Sequence, residues 1–138
     1  MTWTGSAPGL ATFKDISKMS DPAGTAYRPV HYLAAVCTVM YMKGAMEWAE
    51  KNGGTTGVNI RDGMYQKKDW VPQGTEGVCV PSTWTPTDHR PTTMVDLYRM
   101  VVNGPTDAPV GELVQKGVIK LEKVATIDLP RKTELQGW

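Results

Sequence analysis

The sequence predicts an α/β fold. Its first half carries helical apolar periodicity, its second half carries strand-like alternation, and a turn-rich stretch with two prolines separates the strand segments. This order, helices first and strands last, lacks the regular βαβ alternation of a doubly wound domain. It is therefore expected to be part of a larger fold, incomplete as a standalone domain.

Met1 to Ser6 holds β-favouring Thr and Trp and is expected to be the end of a strand. Pro8 suits the first turn of a helix, and Leu10, Phe13, Ile16 and Met19 recur at intervals of three, so a short helix is expected over residues 8–20. The strongest pattern covers 29–51, where Val30, Leu33, Cys37, Met40, Tyr41, Ala45 and Trp48 form an apolar stripe. Much of the remaining circumference is apolar too, so this helix should be covered on more than one side and pack its Val30, Leu33, Cys37 and Met40 side against sheet. Asn52-Gly53-Gly54 ends it. Thr56, with Asn59 three residues on, is a plausible N-cap for a third helix ending near Lys67 or Lys68.

Strands are expected at 78–80 and 94–102, as a hairpin-like pair or two neighbouring strands, joined by the polar turn 82–91. A weak helix or loop then runs to Gly117, residues 118–129 alternate as a strand, and the tail from Pro130 is expected to be irregular.

Lys and Arg total 15 against 14 for Asp and Glu. That near balance provides no field that would favour nucleic acid or an anionic membrane. The most apolar run, 30–42, is too short to span a bilayer, which needs about 20 apolar residues. A soluble chain is expected, and no secretory signal pattern opens it; an exported parent would carry one upstream. Cys37 and Cys79 have no metal-ligand spacing and are expected to be buried and reduced, with a disulfide as the alternative.

Three stretches occur together in order: Tyr27-Arg28-Pro29-Val30-His31-Tyr32-Leu33-Ala34-Ala35 before the long helix, Thr56-Gly57-Val58-Asn59-Ile60-Arg61-Asp62, and Trp84-Thr85-Pro86-Thr87-Asp88-His89-Arg90. With the ending Val124-Ala125-Thr126-Ile127-Asp128-Leu129-Pro130-Arg131-Lys132 and Gly137-Trp138, they resemble the type I periplasmic solute-binding proteins of ABC importers, the class that takes up branched-chain amino acids, amides, urea and aromatic acids. The resemblance implies a type I periplasmic-binding-protein fold, with two α/β lobes joined by three crossover strands and closing over a solute. Residues 1–95 would belong to the first lobe and 96–138 to the third crossover, near 95–102, and the C-terminal segment. It also implies a periplasmic or extracytoplasmic location, an ABC permease as partner and no cofactor. Either the missing remainder of the parent or self-association would cover the exposed surfaces.

The resemblance places Tyr27 where an aromatic side chain lies against the solute. Its flat apolar face, its hydroxyl and the free N–H groups of the helix start suit a carboxylate-bearing ligand. Alternatively, it packs the 24–29 loop. Arg28 can pair with a carboxylate or remain exposed, and His31 can reach a cleft or join the core. Asp88 and His89 are the one acid and imidazole pair that invites an enzyme reading. A turn in which Asp88 caps backbone N–H groups is the expectation, because no nucleophile or phosphate-binding motif accompanies the pair. Met40, Met42, Met46 and Met64 are expected to be helix packing. The expected function is non-enzymatic solute capture; the alternative is a small-molecule-sensing regulatory domain of the same fold.

Overall fold

A computed structural model describes residues 2–129. The expected irregular tail and the family-like ending beyond Leu129 lie outside the described residues. The chain is a mixed arrangement of helices α1 (Leu10–Lys18), α2 (Val30–Lys51), α3 (Gly57–Tyr65) and α4 (Val110–Gln115) with strands β1 (Met94–Val102) and β2 (Ile119–Asp128). The two strands form an antiparallel ribbon.

The helix α2 is the longest element, at 22 residues. Its buried residues Leu33, Tyr41, Ala45 and Ala49, with half-buried Cys37 between the first two, recur every four positions. Side chains four apart form one inclined ridge on a helix. At the small end of that ridge α3 comes close. A Cβ added at Gly63 would lie 2.7 Å from the Ala45 carbonyl oxygen, so only glycine admits this backbone approach. The predicted cap also forms, with the Thr56 hydroxyl accepting from the Asn59 N–H at 3.2 Å.

At the large end of the ridge lie aromatic rings and a covalent bond. The Tyr41 ring meets Trp70 and Trp84 edge-on at centroid distances of 5.2 and 5.1 Å, and the two indoles lie 6.4 Å apart. Cys37 and Cys79 form a disulfide, which corrects the expectation of two reduced thiols. Cys79 is buried and Cys37 half-buried, so the thiols were near enough to react once the loop folded back on α2.

Three further expectations are corrected. The 78–80 segment is not a strand. Positive φ at Gly74 and Gly77 folds the chain into tight turns, and the N–H groups of both Val78 and Cys79 donate to the Thr75 carbonyl. No strand-directed donor is left at those two residues, so the partner of β1 is β2. Residues 2–6 also form turns, because Trp3 is drawn into the core edge-on to Tyr32 at 5.9 Å. Finally, α2 packs on α3 and on the 70–84 segment rather than on sheet. Val30, Val39, Met42 and Met46 stay exposed, so neither the expected second cover nor the packing role of those two methionines is met within the described residues.

The ribbon is the least covered part. Register pairs Val95 with Ile127 and Leu97 with Ala125 on one face, and Met100 with Leu121 on the other. Met94, Leu97, Tyr98, Met100, Leu121 and Ile127 are all exposed. A bulge between Leu97 and Tyr98 breaks the register. Two-stranded ribbons are marginal in water, and exposed apolar strands with free edges recruit further chains.

Two outcomes follow from this packing. Replacing both Cys37 and Cys79 by serine should destabilise the chain by about 4 kcal/mol on loop-closure entropy. Denaturant unfolding with and without reductant checks this, and an unchanged midpoint would contradict it. Sedimentation velocity on the wild-type chain should show concentration-dependent association, and the pair Leu97→Lys and Ile127→Lys, which charges one ribbon face, should weaken it.

Candidate functional site

The three residues singled out by the sequence sit around the start of α2. Pro29, extended at φ −71° and ψ 168°, leads into the helix, and no side chain caps its first N–H groups. The preceding loop is set by Asp21, whose carboxylate accepts from the Ala26 N–H at 2.7 Å. Arg28 is half-buried. Its Nε donates to Ser17 Oγ at 2.8 Å and its Nη2 to Ser20 Oγ at 3.1 Å, while its guanidinium lies 5.2 Å from the centroid of the Tyr32 ring. Tyr27 is also half-buried and lies against α4, where a Cβ on Gly111 would come within 3.0 to 3.1 Å of its side chain. His31 is exposed on the first turn. The three are thus neighbours at one helix start, but Arg28 turns to α1 and Tyr27 to α4.

Sequence reasoning missed a second feature, an open groove of about 970 Å³ between α2 and the ribbon. Leu33, Cys37 and Tyr41 from α2, Trp84 from the 69–84 segment, and Asp96 and Tyr98 from β1 line it. None of Tyr27, Arg28 or His31 does. No periodicity in the sequence signals a groove whose walls are far apart in the chain.

Polar chemistry in the groove centres on two groups. The Tyr41 hydroxyl donates to the Val80 carbonyl, and Ser82 Oγ lies 3.2 Å from that hydroxyl. Burial pushes the Tyr41 phenol above its ordinary value, with the Ser82 hydrogen bond acting in the opposite direction. Asp96, by contrast, is held below the usual carboxylate range, first by its hydrogen bond from Lys123 and then by one from Thr126. The Lys123 ammonium is 2.7 Å from its carboxylate.

Asp88 and His89 engage different partners. Asp88 Oδ1 accepts from the Arg90 backbone N–H at 3.0 Å and also from Arg90 Nε at 3.0 Å, the turn-capping arrangement expected. His89 is exposed and stacks on Tyr65, whose hydroxyl lies 2.7 Å from its Nε2. Among the described residues no group of three His, Cys, Asp or Glu side chains could hold a metal ion, and no helix is long and apolar enough to cross a membrane. No family model matches the chain, and neither a curated protein nor a solved structure matches it.

The Tyr41 environment makes a titration prediction. A phenol raised in the folded state leaves stability independent of pH while both states are protonated, below about 10. Above that value the unfolded chain ionises first, so stability should fall as pH rises towards the folded-state value. Phenolate absorbance should show a Tyr41 component that titrates above the ordinary phenol value. Tyr41→Phe should remove that late component and cost about 1 kcal/mol, the net worth of one hydrogen bond, because the Val80 carbonyl keeps the Ser82 hydroxyl as a donor at 2.9 Å.

Proposed function

We propose that this chain is part of an extracytoplasmic solute receptor of the type I class, which captures a small amino acid, amide or aromatic acid and delivers it to the permease of an ABC importer. The observation that carries the reading is the start of α2: a long helix without a side-chain cap, flanked by Tyr27, Arg28 and His31. Free N–H groups and the positive end of a helix dipole favour a carboxylate. Arg28, already held by Ser17 and Ser20, would add a bidentate charge partner without first being ordered. Tyr27 would supply the apolar wall.

Two other features support the same reading. The apolar, open-edged ribbon suits a pair of strands that completes a larger sheet in a two-lobed receptor. The Cys37–Cys79 bond suits an oxidising compartment, which favours an exported receptor over a cytoplasmic sensing domain of the same fold.

Thermal-shift and calorimetric titration of the intact, oxidised chain with leucine, acetamide, urea and benzoate at millimolar concentration tests the proposal. Leucine or benzoate should stabilise the chain, by about 2.7 kcal/mol at a hundredfold excess over Kd. Arg28→Ala should abolish that effect while leaving the unliganded fold intact. No stabilisation by either acid, or an effect indifferent to Arg28→Ala, would overturn the assignment.

A further inference from the structure

The chain has three asparagines, two of which precede glycine. The structure sorts them by how firmly each side-chain amide is held. Asn52, at the end of α2, donates from Nδ2 to the Trp48 carbonyl at 2.8 Å, and its backbone N–H bonds to the Ala49 carbonyl at 2.9 Å. Two residues on, the Gly54 N–H returns to the same Ala49 carbonyl at 3.0 Å, which pins the helix end. Asn59 lies within α3, donates to the Gly54 carbonyl at 2.8 Å and is followed by β-branched Ile60. Asn103 shares with Asn52 an exposed position before an exposed glycine of positive φ, but lacks its side-chain tether. It is exposed in the turn after β1, its side-chain amide has no hydrogen-bond partner among the described residues, and the next residue is exposed Gly104 at φ +151°.

We propose that Asn103 is a site of spontaneous covalent modification, converting to aspartate and isoaspartate. In the first step the Gly104 backbone nitrogen loses its proton to solvent base and attacks Cγ of Asn103. A ring C–N bond forms, the Cγ–Nδ2 bond breaks, and the amide nitrogen takes up a proton and leaves as ammonia. Water then opens the five-membered imide at either carbonyl. One opening gives aspartate; the other gives isoaspartate, whose main chain runs through the former side chain. The sum is amide plus water to acid plus ammonia, without oxidant or reductant. Glycine at 104 matters because no side chain shields the attacking nitrogen, and the untethered Asn103 amide can rotate to meet it.

The location gives the change a structural effect. The Asn103 N–H donates to the Val118 carbonyl at 2.8 Å, immediately beyond the last ribbon pair, Val102 with Ile119. Isoaspartate adds a methylene to the main chain there and a carboxylate to the turn, so the closing end of the ribbon should loosen.

Incubating the full chain at mildly alkaline pH, with intact-mass and peptide-map readouts over time, tests the proposal. The peptide containing Asn103 should gain the mass of amide-to-acid conversion several-fold faster than the peptide containing Asn52. Its rate should rise with pH, and isoaspartate should be detected. Asn103→Gln should eliminate that product without changing thermal stability. Conversion at Asn52 as fast as at Asn103 would overturn the proposal. So would an unchanged Asn103 over the time in which an unstructured Val-Asn-Gly-Pro peptide converts.

Discussion

The Cys37–Cys79 bond ties the middle of α2 to a segment that has almost no regular structure of its own. Between α3 and β1 the chain contains only isolated bridges, Trp70 with Ser82 and Thr85 with Asp88. Loops of that length need anchors, because their backbone polar groups and lost entropy are not offset by a ladder or helix. Here the anchors converge on one face of α2. The disulfide fixes Cys79 beside Leu33 and Tyr41, the Tyr41 hydroxyl takes the Val80 carbonyl, and Trp70 and Trp84 clasp the Tyr41 ring. The link closes across a sequence separation of 42, so it restricts a large part of the unfolded ensemble. Gly9 completes the arrangement from the other side, donating to the Glu76 carbonyl at 2.9 Å, and a Cβ there would collide with the Thr75 backbone at 2.4 Å.

What could be read from the sequence follows from what each pattern encodes. Apolar periodicity located α1 within 8–20 and α2 within one residue at its start, because helical packing repeats along the chain itself. Thr56 was legible for a similar reason, since capping is a contact between near neighbours. Alternation found 94–102 as a strand but could not identify its partner. The apolar run Val78-Cys79-Val80 imitates a strand, yet the glycines at 74 and 77 and the bond to Cys37 turn it back on itself. The disulfide is only an alternative in the sequence, because free cysteines are commonly buried too and the proximity of two residues 42 apart is a tertiary property. The groove was illegible on the same ground.

The positions of Tyr27, Arg28 and His31 illustrate a further limit. Adjacency in sequence brought them to one helix start, but side-chain direction was decided by packing. Ser17 and Ser20 on and just beyond α1 draw the Arg28 guanidinium over Tyr32, and Gly111 opens space on α4 for Tyr27. An arginine fixed by two hydroxyls and an aromatic face has lost much of its rotamer freedom before any ligand arrives, and that loss is a cost binding otherwise carries. The same contacts that make Arg28 look structural are therefore compatible with recognition.

The exposed ribbon and the bare side of α2 share one physical problem. Apolar surface left in water forgoes about 25 cal/mol per Å², and monomers seldom carry extended patches of it. Both surfaces border the same groove, with Val30 and Met42 on the helix side and Met94 and Tyr98 on the strand side. One body placed in that groove would cover parts of both surfaces at once. A further strand and helix from a larger α/β lobe would have the right character, since such lobes stack helices on sheet through apolar faces. A second copy of the chain would relieve the ribbon edges but must also match the carboxylates of Asp96 and Asp128 at the groove rim. Asp96 already has Lys123 as its counter-ion and Asp128 accepts from the Thr93 hydroxyl, so an apolar, largely uncharged body fits there without stranding either acid.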